Sequence, residues 1–89
     1  MPPLAFLEVN MIRVMVNGAG GKMGREVVKA VHADSELTMI GGIDPSKAGQ
    51  DVGTVAGIEP LHITMAKTID EVLDDNKPDV IVDFTNPAV

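Results

Sequence analysis

Four glycines crowd into seven positions, from Gly18 to Gly24, within the stretch "VNGAGGKMGRE" at residues 16–26. Glycine loses more conformational freedom on folding than any other residue, so such a cluster in a folded chain needs a compensating role. The residues before the cluster form an apolar run, and those after it repeat with helical spacing. The cluster therefore predicts a tight strand-to-helix turn whose backbone lies close to another group.

The segments that flank this glycine loop predict an α/β fold. Residues 12–17 form an apolar run, typical of a strand buried on both faces of a parallel sheet. After the glycines, apolar residues recur at i, i+4, i+7 and i+8, which predicts a helix that ends near residues 32–34. This predicted apolar face consists of Met23, Val27, Ala30 and Val31. A second strand is predicted at residues 37–43, and the glycine-rich residues 44–60 are predicted to form a loop.

The second half of the chain continues this alternation. Residues 62–64 predict a short third strand, and residues 79–84 predict a fourth. Thr68 and Glu71 match a capping box, so a helix is predicted to begin there and to end before Pro78. Strands that alternate with helices indicate a parallel sheet with right-handed crossovers. In a doubly wound order 3-2-1-4, strands 1 and 4 are neighbours, and the loops that follow them face one crevice.

Length and charge restrict the class of protein. A chain of 89 residues forms one small domain at most. The formal net charge of -6 argues against a nucleic-acid or membrane partner, because either would need a basic patch. No apolar stretch is long enough to span a bilayer, so we expect a soluble, cytoplasmic protein. The absence of cysteine excludes disulfides and thiolate chemistry.

The glycine loop has the features of a phosphate-binding cradle. Gly18 can make the tight turn that leaves the strand, and Gly20 or Gly21 can let backbone amides approach a pyrophosphate. Gly24 can let the helix pack closely on the strand. The helix N-terminus supplies unpaired N–H groups and partial positive charge. The spacing of the glycines is G-x-x-G-x-x-G rather than G-x-G-x-x-G, so the loop alone is a weak motif.

Charged residues near the loop strengthen this interpretation. Lys22 and Arg25 add positive charge beside the helix N-terminus. Asp44 follows the second predicted strand, 20 residues after Gly24, where an acid binds a ribose hydroxyl of a dinucleotide. Alternatively, Asp44 only starts the D-P-S-K turn. An acid here favours NAD(H), but Lys47 could meet a 2′-phosphate, so NAD(H) and NADP(H) both stay open.

The remaining polar residues have simpler interpretations. His32 is predicted near a helix C-terminus, where it suits the helix dipole, and His62 has no second ligand nearby in sequence. No metal site is predicted. Asp83 falls in a strand that is predicted to be buried, and a buried carboxylate needs partners. Either it accepts backbone amides of the glycine loop or of the following turn, or it lies at a sheet edge open to water.

Two stretches together resemble a known family. "VNGAGGKMGRE" at residues 16–26 and "VDFTNPAV" at residues 82–89 look like the nucleotide-binding domain of the dihydrodipicolinate reductases, and the likeness covers residues 12–89. A G-A-x-G-K/R-M-G loop paired with a D-F-T-x-P strand end is much more specific than a generic glycine motif. The resemblance implies a partial Rossmann-like domain at residues 12–89, after a flexible extension at residues 1–11. It also implies NAD(P)H-dependent reduction of 4-hydroxy-tetrahydrodipicolinate in lysine and diaminopimelate biosynthesis.

The same resemblance implies roles for individual residues. The glycine loop would hold the pyrophosphate, Asp44 would hold the adenosine ribose, and Phe84 with Thr85 would lie near the nicotinamide half of the cofactor. The loop residues expected to bind the cofactor are Gly18, Ala19, Gly20, Gly21, Lys22, Met23 and Gly24. Pro45 stands where relatives that favour NADPH often carry a basic residue. The resemblance therefore leaves the cofactor preference open.

The resemblance also implies parts that these 89 residues do not contain. In that family a second domain with an E-x-H-H-R-x-K-type segment and a K/D-x-P-S-G-T stretch supplies the proton, binds the cyclic dicarboxylate substrate and builds a homotetramer. We therefore expect a fragment of a longer reductase that has no catalytic residue of its own and binds nucleotide weakly. Two alternatives stay open: another Rossmann dehydrogenase or imine reductase, and a nucleotide-binding module without chemistry.

Overall fold

A three-stranded parallel sheet with helices on both faces organises the chain. The computed structural model describes residues 11–73 and 77–84. Its elements are β1 (Ile12–Asn17), α1 (Lys22–Ala33), β2 (Leu37–Ile43), a 3-10 turn (Pro45–Lys47), α2 (Val52–Ala56), α3 (Ile69–Leu73) and β3 (Val80–Asp83). This architecture is a partial Rossmann-like fold, and it confirms the predicted α/β class. In these two ranges, no helix is long and apolar enough to cross a membrane.

The strand order is β2-β1-β3, with β1 in the centre. Asn17, the last residue of β1, pairs with Ile43 of β2 on one side and with Asp83 of β3 on the other. Because all three strands are parallel, their carboxyl ends meet at one edge of the sheet. β3 is the fourth strand predicted from the sequence, and its place beside β1 confirms that strands 1 and 4 are neighbours.

The centre of β1 is buried on both faces, as predicted. Val14 and Val16 pack on one side, in a cluster with Val28 of α1 and Val52 of α2. Met15 packs on the opposite side, in a cluster with Ile43 and Val72. With an aromatic content of only 2%, the core is built from short aliphatic side chains and methionine.

The apolar face predicted for α1 is shifted by one residue. The helix spans residues 22–33, close to the prediction, but its buried residues are Gly24, Val28 and Val31. Met23 is 58% exposed and Ala30 is exposed as well. The shift has a physical reason: Gly24 must face the turn at the end of β1, and the row i, i+4, i+7 that starts there then faces the sheet.

The strand predicted at residues 62–64 is wrong. His62 has φ 61°, in the left-handed region, and residues 63–65 bond to the segment 49–52 instead of joining the sheet. The Val52 amide donates to the Ile63 carbonyl over 2.8 Å. One parallel bridge, from Ala66 to Ile43, lies beside β2, where the order 3-2-1-4 places a third strand. The third strand is thus reduced to this bridge in the described residues.

Residues 44–60, predicted to form a loop because they are rich in glycine, contain a short helix. α2 begins after Asp51, whose carboxylate accepts the Thr54 amide, and ends at Ala56, before Gly57, which has φ 87°. Asp51 also accepts the amides of Leu61 and Ile63, at 3.0 and 2.9 Å. Partial burial acts to raise the pKa of the Asp51 carboxyl, but these hydrogen bonds outweigh it and hold the pKa well below its usual range.

Glu71 at the start of α3 accepts a different amide from the one that the predicted capping box requires. The helix begins at Ile69, directly after Thr68, as predicted. The Glu71 carboxylate accepts the backbone amide of Lys67, at 3.1 Å, rather than that of Thr68. α3 is described as far as Leu73, and the predicted helix end lies partly outside the described residues.

Candidate nucleotide-binding site

The glycine loop is hydrogen-bonded to the end of β2. Gly18 has φ 87°, a left-handed conformation that favours glycine, and it turns the chain away from β1. The amides of Gly18 and Ala19 both donate to the Ile43 carbonyl, at 2.7 and 3.1 Å. The Ala19 side chain is buried in the core. The carboxyl end of β2 therefore sets the position of the loop that follows β1.

The loop packs too closely for side chains at two of its glycines. A Cβ on Gly24 would overlap the Gly18 carbonyl oxygen, so this glycine lets α1 start directly against the turn, as predicted. A Cβ on Gly20 would lie 2.5 Å from the Asp44 Oδ2 atom and 2.6 Å from the Lys47 Cγ atom. The absence of a side chain at Gly20 thus leaves room for the side chains of Asp44 and Lys47, which follow β2.

Gly21 differs from both of these glycines. It is exposed, has extended backbone angles, and the nearest atom to a Cβ built on it would be the Gly18 carbonyl oxygen at 3.6 Å. Gly21 is the N-cap of α1 but provides no side-chain cap. In the described part of the chain, no acceptor is recorded for the amides of Lys22, Met23 and Gly24. Uncapped amides beside an exposed glycine fit a phosphate group.

The charges around this helix N-terminus are favourable for an anion. The first turn of α1 carries no acidic residue. Lys22 is exposed, and the Arg25 Nε atom donates to the Gly21 carbonyl at 3.3 Å, which holds the guanidinium against the loop. The nearest acid on the helix, Glu26, pairs with Lys29 at 2.8 Å. That pairing lowers the pKa of the Glu26 carboxyl, first through the hydrogen bond from Lys29.

Asp44 lies next to the glycine loop, as the sequence predicts for a ribose-binding acid. Its Oδ2 atom accepts the Gly20 amide at 2.9 Å. Its Oδ1 atom accepts both the amide and the hydroxyl of Ser46, at 3.0 and 2.8 Å, and so caps the 3-10 turn. Asp44 thus starts the D-P-S-K turn, as one of the two sequence interpretations has it, and it also contacts the glycine loop; its role toward a ribose stays a prediction.

The end of β3 reaches the same edge of the sheet. The Phe84 amide donates to the Asn17 carbonyl at 2.9 Å, and the Phe84 side chain is exposed. Asp83 is exposed on β3, an outer strand of the described sheet, so the buried position expected for it is wrong and the alternative of a sheet edge open to water agrees with the structure. The expected site residue Thr85 lies outside the described residues. The structure therefore brings Phe84 and the glycine loop to the carboxyl edge.

The two histidines lie away from this edge. His32, in the last turn of α1, has its Nε2 atom 3.3 Å from a Glu59 carboxylate oxygen. His62 is exposed at its left-handed position. Within residues 11–73 and 77–84, no three His, Asp or Glu side chains gather in a way that could hold a metal ion.

Sequence reasoning missed two residues that contribute to the candidate site. Ile43 acts through its backbone carbonyl, which any residue would provide. Ser46 orients the Asp44 carboxylate, and only its place two residues after an Asp, in an Asx-type turn, hints at this contact.

The fold and the site define a class of protein. A parallel α/β sheet, a glycine turn after its central strand, an uncapped helix N-terminus and an acid after the next strand together make a dinucleotide-binding module of Rossmann type. The family model described as dihydrodipicolinate reductase, N-terminus, matches residues 12–89. The chain belongs to this family.

Relatives with curated names agree with this assignment. The 4-hydroxy-tetrahydrodipicolinate reductase of Syntrophomonas wolfei is 48% identical over 75 residues, which are 84% of this chain and 28% of the relative. The reductase of the same name from a Cyanothece species is 48% identical over 82 residues, 85% of this chain and 30% of the relative. The reductase of a Synechocystis species is 45% identical over 85 residues, which cover 89% of this chain and 31% of the relative. The chain thus spans less than a third of the length of these relatives.

Proposed function

We propose that this chain is the cofactor-binding segment of a 4-hydroxy-tetrahydrodipicolinate reductase. Such an enzyme uses NAD(P)H to form tetrahydrodipicolinate in lysine and diaminopimelate biosynthesis. Family membership and the names of the relatives support the activity. The observation that carries the proposal is the uncapped N-terminus of α1, beside the exposed Gly21 and with Asp44 on its flank. The bound cofactor supplies the hydride, and this segment holds and orients the cofactor.

The residues of the loop divide the work of binding. The amides of Lys22, Met23 and Gly24 would donate to the pyrophosphate, since their N–H groups have no recorded acceptor among the described residues. The Lys22 ammonium would add charge from the solvent side. Gly18 shapes the turn, and Gly21 leaves the approach open.

Two further contacts complete the proposed site. Asp44 would accept a hydroxyl of the adenosine ribose, because its Oδ2 atom uses one hydrogen-bonding position for Gly20 and keeps another. Phe84, and Thr85 beyond the described residues, would lie along the nicotinamide half. The cradle beside β1 and the end of β3 share one edge of the sheet, which suits an extended dinucleotide.

The extent of the module is part of the proposal. Residues 12–89 would form the cofactor-binding part, and residues 1–11 would be an extension that the site does not need. Binding of the cyclic dicarboxylate, proton transfer and assembly into a tetramer would involve the part of the relatives' length that this chain does not span.

The cofactor preference depends on two neighbouring side chains. An acid at position 44 favours NADH, because a 2′-phosphate would be repelled by its carboxylate. Lys47 opposes this preference: its half-buried side chain lies beside Gly20, on the same side of the loop as Asp44. We propose that the site accepts both NADH and NADPH, with Lys47 providing the contact to the 2′-phosphate.

Titration of NADH and NADPH separately, followed by reduced-nicotinamide fluorescence, tests this function. Gly21→Ala is the decisive variant, since its methyl group fits the fold but blocks the approach to the α1 amides. We expect at least about tenfold weaker binding of both cofactors, with an unchanged unfolding temperature. Ala33→Val, an exposed site at the far end of α1, is the matched control and should bind like the unchanged chain.

Lys47→Ala separates the two cofactors in the same titration. We expect it to weaken NADPH binding by about threefold to tenfold and to leave NADH binding unchanged, because only NADPH carries the 2′-phosphate. Equal binding by the unchanged chain and Gly21→Ala would contradict the proposed cradle. Absence of NADH and NADPH binding would leave a module without cofactor chemistry as the better account.

A further inference from the structure

We propose that Asp44 is also a positioning residue for the glycine loop, so that the ribose-binding acid and the phosphate cradle form one rigid unit. The proposal rests on the proposed function and deepens it. It assigns to the Asp44 carboxylate an effect on groups that the carboxylate would not touch in the complex, namely the amides that face the pyrophosphate.

Three consecutive amides fasten the loop to the end of β2. Those of Gly18 and Ala19 donate to the Ile43 carbonyl, which is a backbone contact and independent of sequence. The third, from Gly20, donates to the Asp44 side chain at 2.9 Å. Only this third contact depends on the residue at position 44, and it is the one closest to the cradle at Gly21.

The missing side chain of Gly20 serves the same contact. A Cβ there would displace the Asp44 carboxylate and the Lys47 stem, which lie 2.5 and 2.6 Å from its position. Gly20 therefore lets Asp44 reach the loop. Since its amide is already donated to Asp44, Gly20 is not among the pyrophosphate donors, and the amides of residues 22–24 remain for that role.

The carboxylate is itself held from the opposite side. Its Oδ1 atom accepts the amide and the hydroxyl of Ser46, so the Asp44 side chain cannot rotate without breaking three hydrogen bonds. A carboxylate fixed in this way restrains the loop before any ligand arrives. Restraint of this kind improves affinity, because less conformational freedom is lost on binding.

Electrostatics and positioning predict opposite effects when Asp44 is removed. Loss of a negative charge beside an anion site strengthens binding of an anion by itself. Loss of a positioning contact weakens it. Inorganic pyrophosphate has no ribose, so it reports on the cradle alone, whereas NADH reports on the cradle and the ribose contact together.

The experiment measures pyrophosphate and NADH binding, and the exchange of the Gly20 amide with solvent, by NMR. Asp44→Ala removes the contact. Asp44→Asn removes the charge and leaves a single acceptor oxygen for the donors on the Gly20 side and on the Ser46 side, whereas Ser46→Ala keeps the carboxylate and its bond from Gly20. Continued protection of the β1 amides shows that each variant is folded.

We expect Asp44→Ala to exchange its Gly20 amide at least about tenfold faster and to bind pyrophosphate several-fold more weakly, despite the lost negative charge. Asp44→Asn and Ser46→Ala should each speed Gly20 exchange less than Asp44→Ala does, because each keeps part of the hydrogen bonding that holds position 44 against the loop. Asp44→Ala with unchanged Gly20 exchange and equal or tighter pyrophosphate binding would overturn the inference. If the unchanged chain bound neither ligand, the proposed function would fail, and the Gly20 exchange rates would still decide whether Asp44 fixes the loop.

Discussion

The two neighbours of β1 differ sharply in how they are held. β2 runs along all six residues of β1, and its last three residues are buried. β3 pairs with four residues of β1, and Val80 and Ile81 remain 44% and 42% exposed although they point to opposite faces of the sheet. β3 is anchored at its start, where the Asp79 carboxylate accepts the Arg13 amide at 2.9 Å.

This difference shows where the site gets its rigidity. In the unit from β1 to β2, Ile43 links the core to the glycine loop. Its side chain is buried in the core, and its carbonyl accepts the amides of Gly18 and Ala19. Beside β3, an apolar groove lined by Val27, Val31, Val80 and Val82 lies open. The proposed phosphate cradle therefore depends on the well-packed unit, and the proposed cofactor contact near Phe84 depends on the less buried strand.

The largest effect is expected from Gly24→Val, in the well-packed unit. The added side chain would overlap the Gly18 carbonyl, so α1 could not start against the turn. We expect a loss of about 3 kcal/mol in the free energy of unfolding, together with loss of NADH binding. Urea denaturation and calorimetric titration measure the two effects. Stability like that of the unchanged chain would show that the close contact at Gly24 is misplaced.

A matched pair of valines compares the two regions directly. Val16 of β1 is fully buried, whereas Val80 of β3 is nearly half exposed. We expect Val16→Ala to cost about 2 kcal/mol of unfolding free energy and Val80→Ala less than about 1 kcal/mol. Both variants lose the same strand propensity, so the difference in urea midpoint reports burial. Equal costs would mean that β3 is covered in solution.

A smaller, pH-dependent effect is expected from Asp51→Asn. Because the folded pKa of Asp51 is lowered, its stabilising contribution is fully present above the unfolded pKa of about 3.9 and is lost as pH falls below it. We expect Asp51→Asn to cost about 1 kcal/mol at pH 7, with the gap between the two proteins closing as the pH is lowered below about 4. Urea midpoints across this pH range measure it. A gap that stays constant with pH would contradict the assignment.

The smallest effect is expected from deletion of residues 1–10. The first described backbone contact of the sheet is the Ile12 amide, which donates to the Glu36 carbonyl at 2.9 Å. We expect stability within about 0.5 kcal/mol of the full chain and unchanged NADH affinity. A clear drop in NADH affinity would refute the proposed boundary at residue 12.

The sequence revealed those parts of the fold that depend on local pattern. The bounds of β1 and β2 were predicted closely, because strands of a buried parallel sheet consist of short apolar runs. The structure of residues 62–64 and of residues 44–60 was predicted wrongly, because the conformation of both segments depends on hydrogen bonds to Asp51. Its carboxylate caps α2 and holds the amides of Leu61 and Ile63, which is a contact across ten or more residues.

The geometry of the candidate site could be predicted in outline for a similar reason, whereas its binding roles stay predictions. The glycine spacing and the acid after β2 mark the loop and its flank, since close backbone approach and strand order require them. The division of roles among the glycines was not predictable. Gly20 and Gly21 are adjacent and identical in sequence, and only their surroundings show that Gly20 packs against Asp44 whereas Gly21 is exposed and has room for a Cβ.

The most direct test of the account is a titration of the ¹⁵N-labelled chain with NADH, followed through its backbone amide signals. The account predicts that the largest shifts occur at Lys22, Met23 and Gly24, with a smaller change at Asp44 and none in α2. Saturable binding with its largest shifts in α2, or along the open groove beside β3, would contradict the claim that the N-terminus of α1 holds the pyrophosphate.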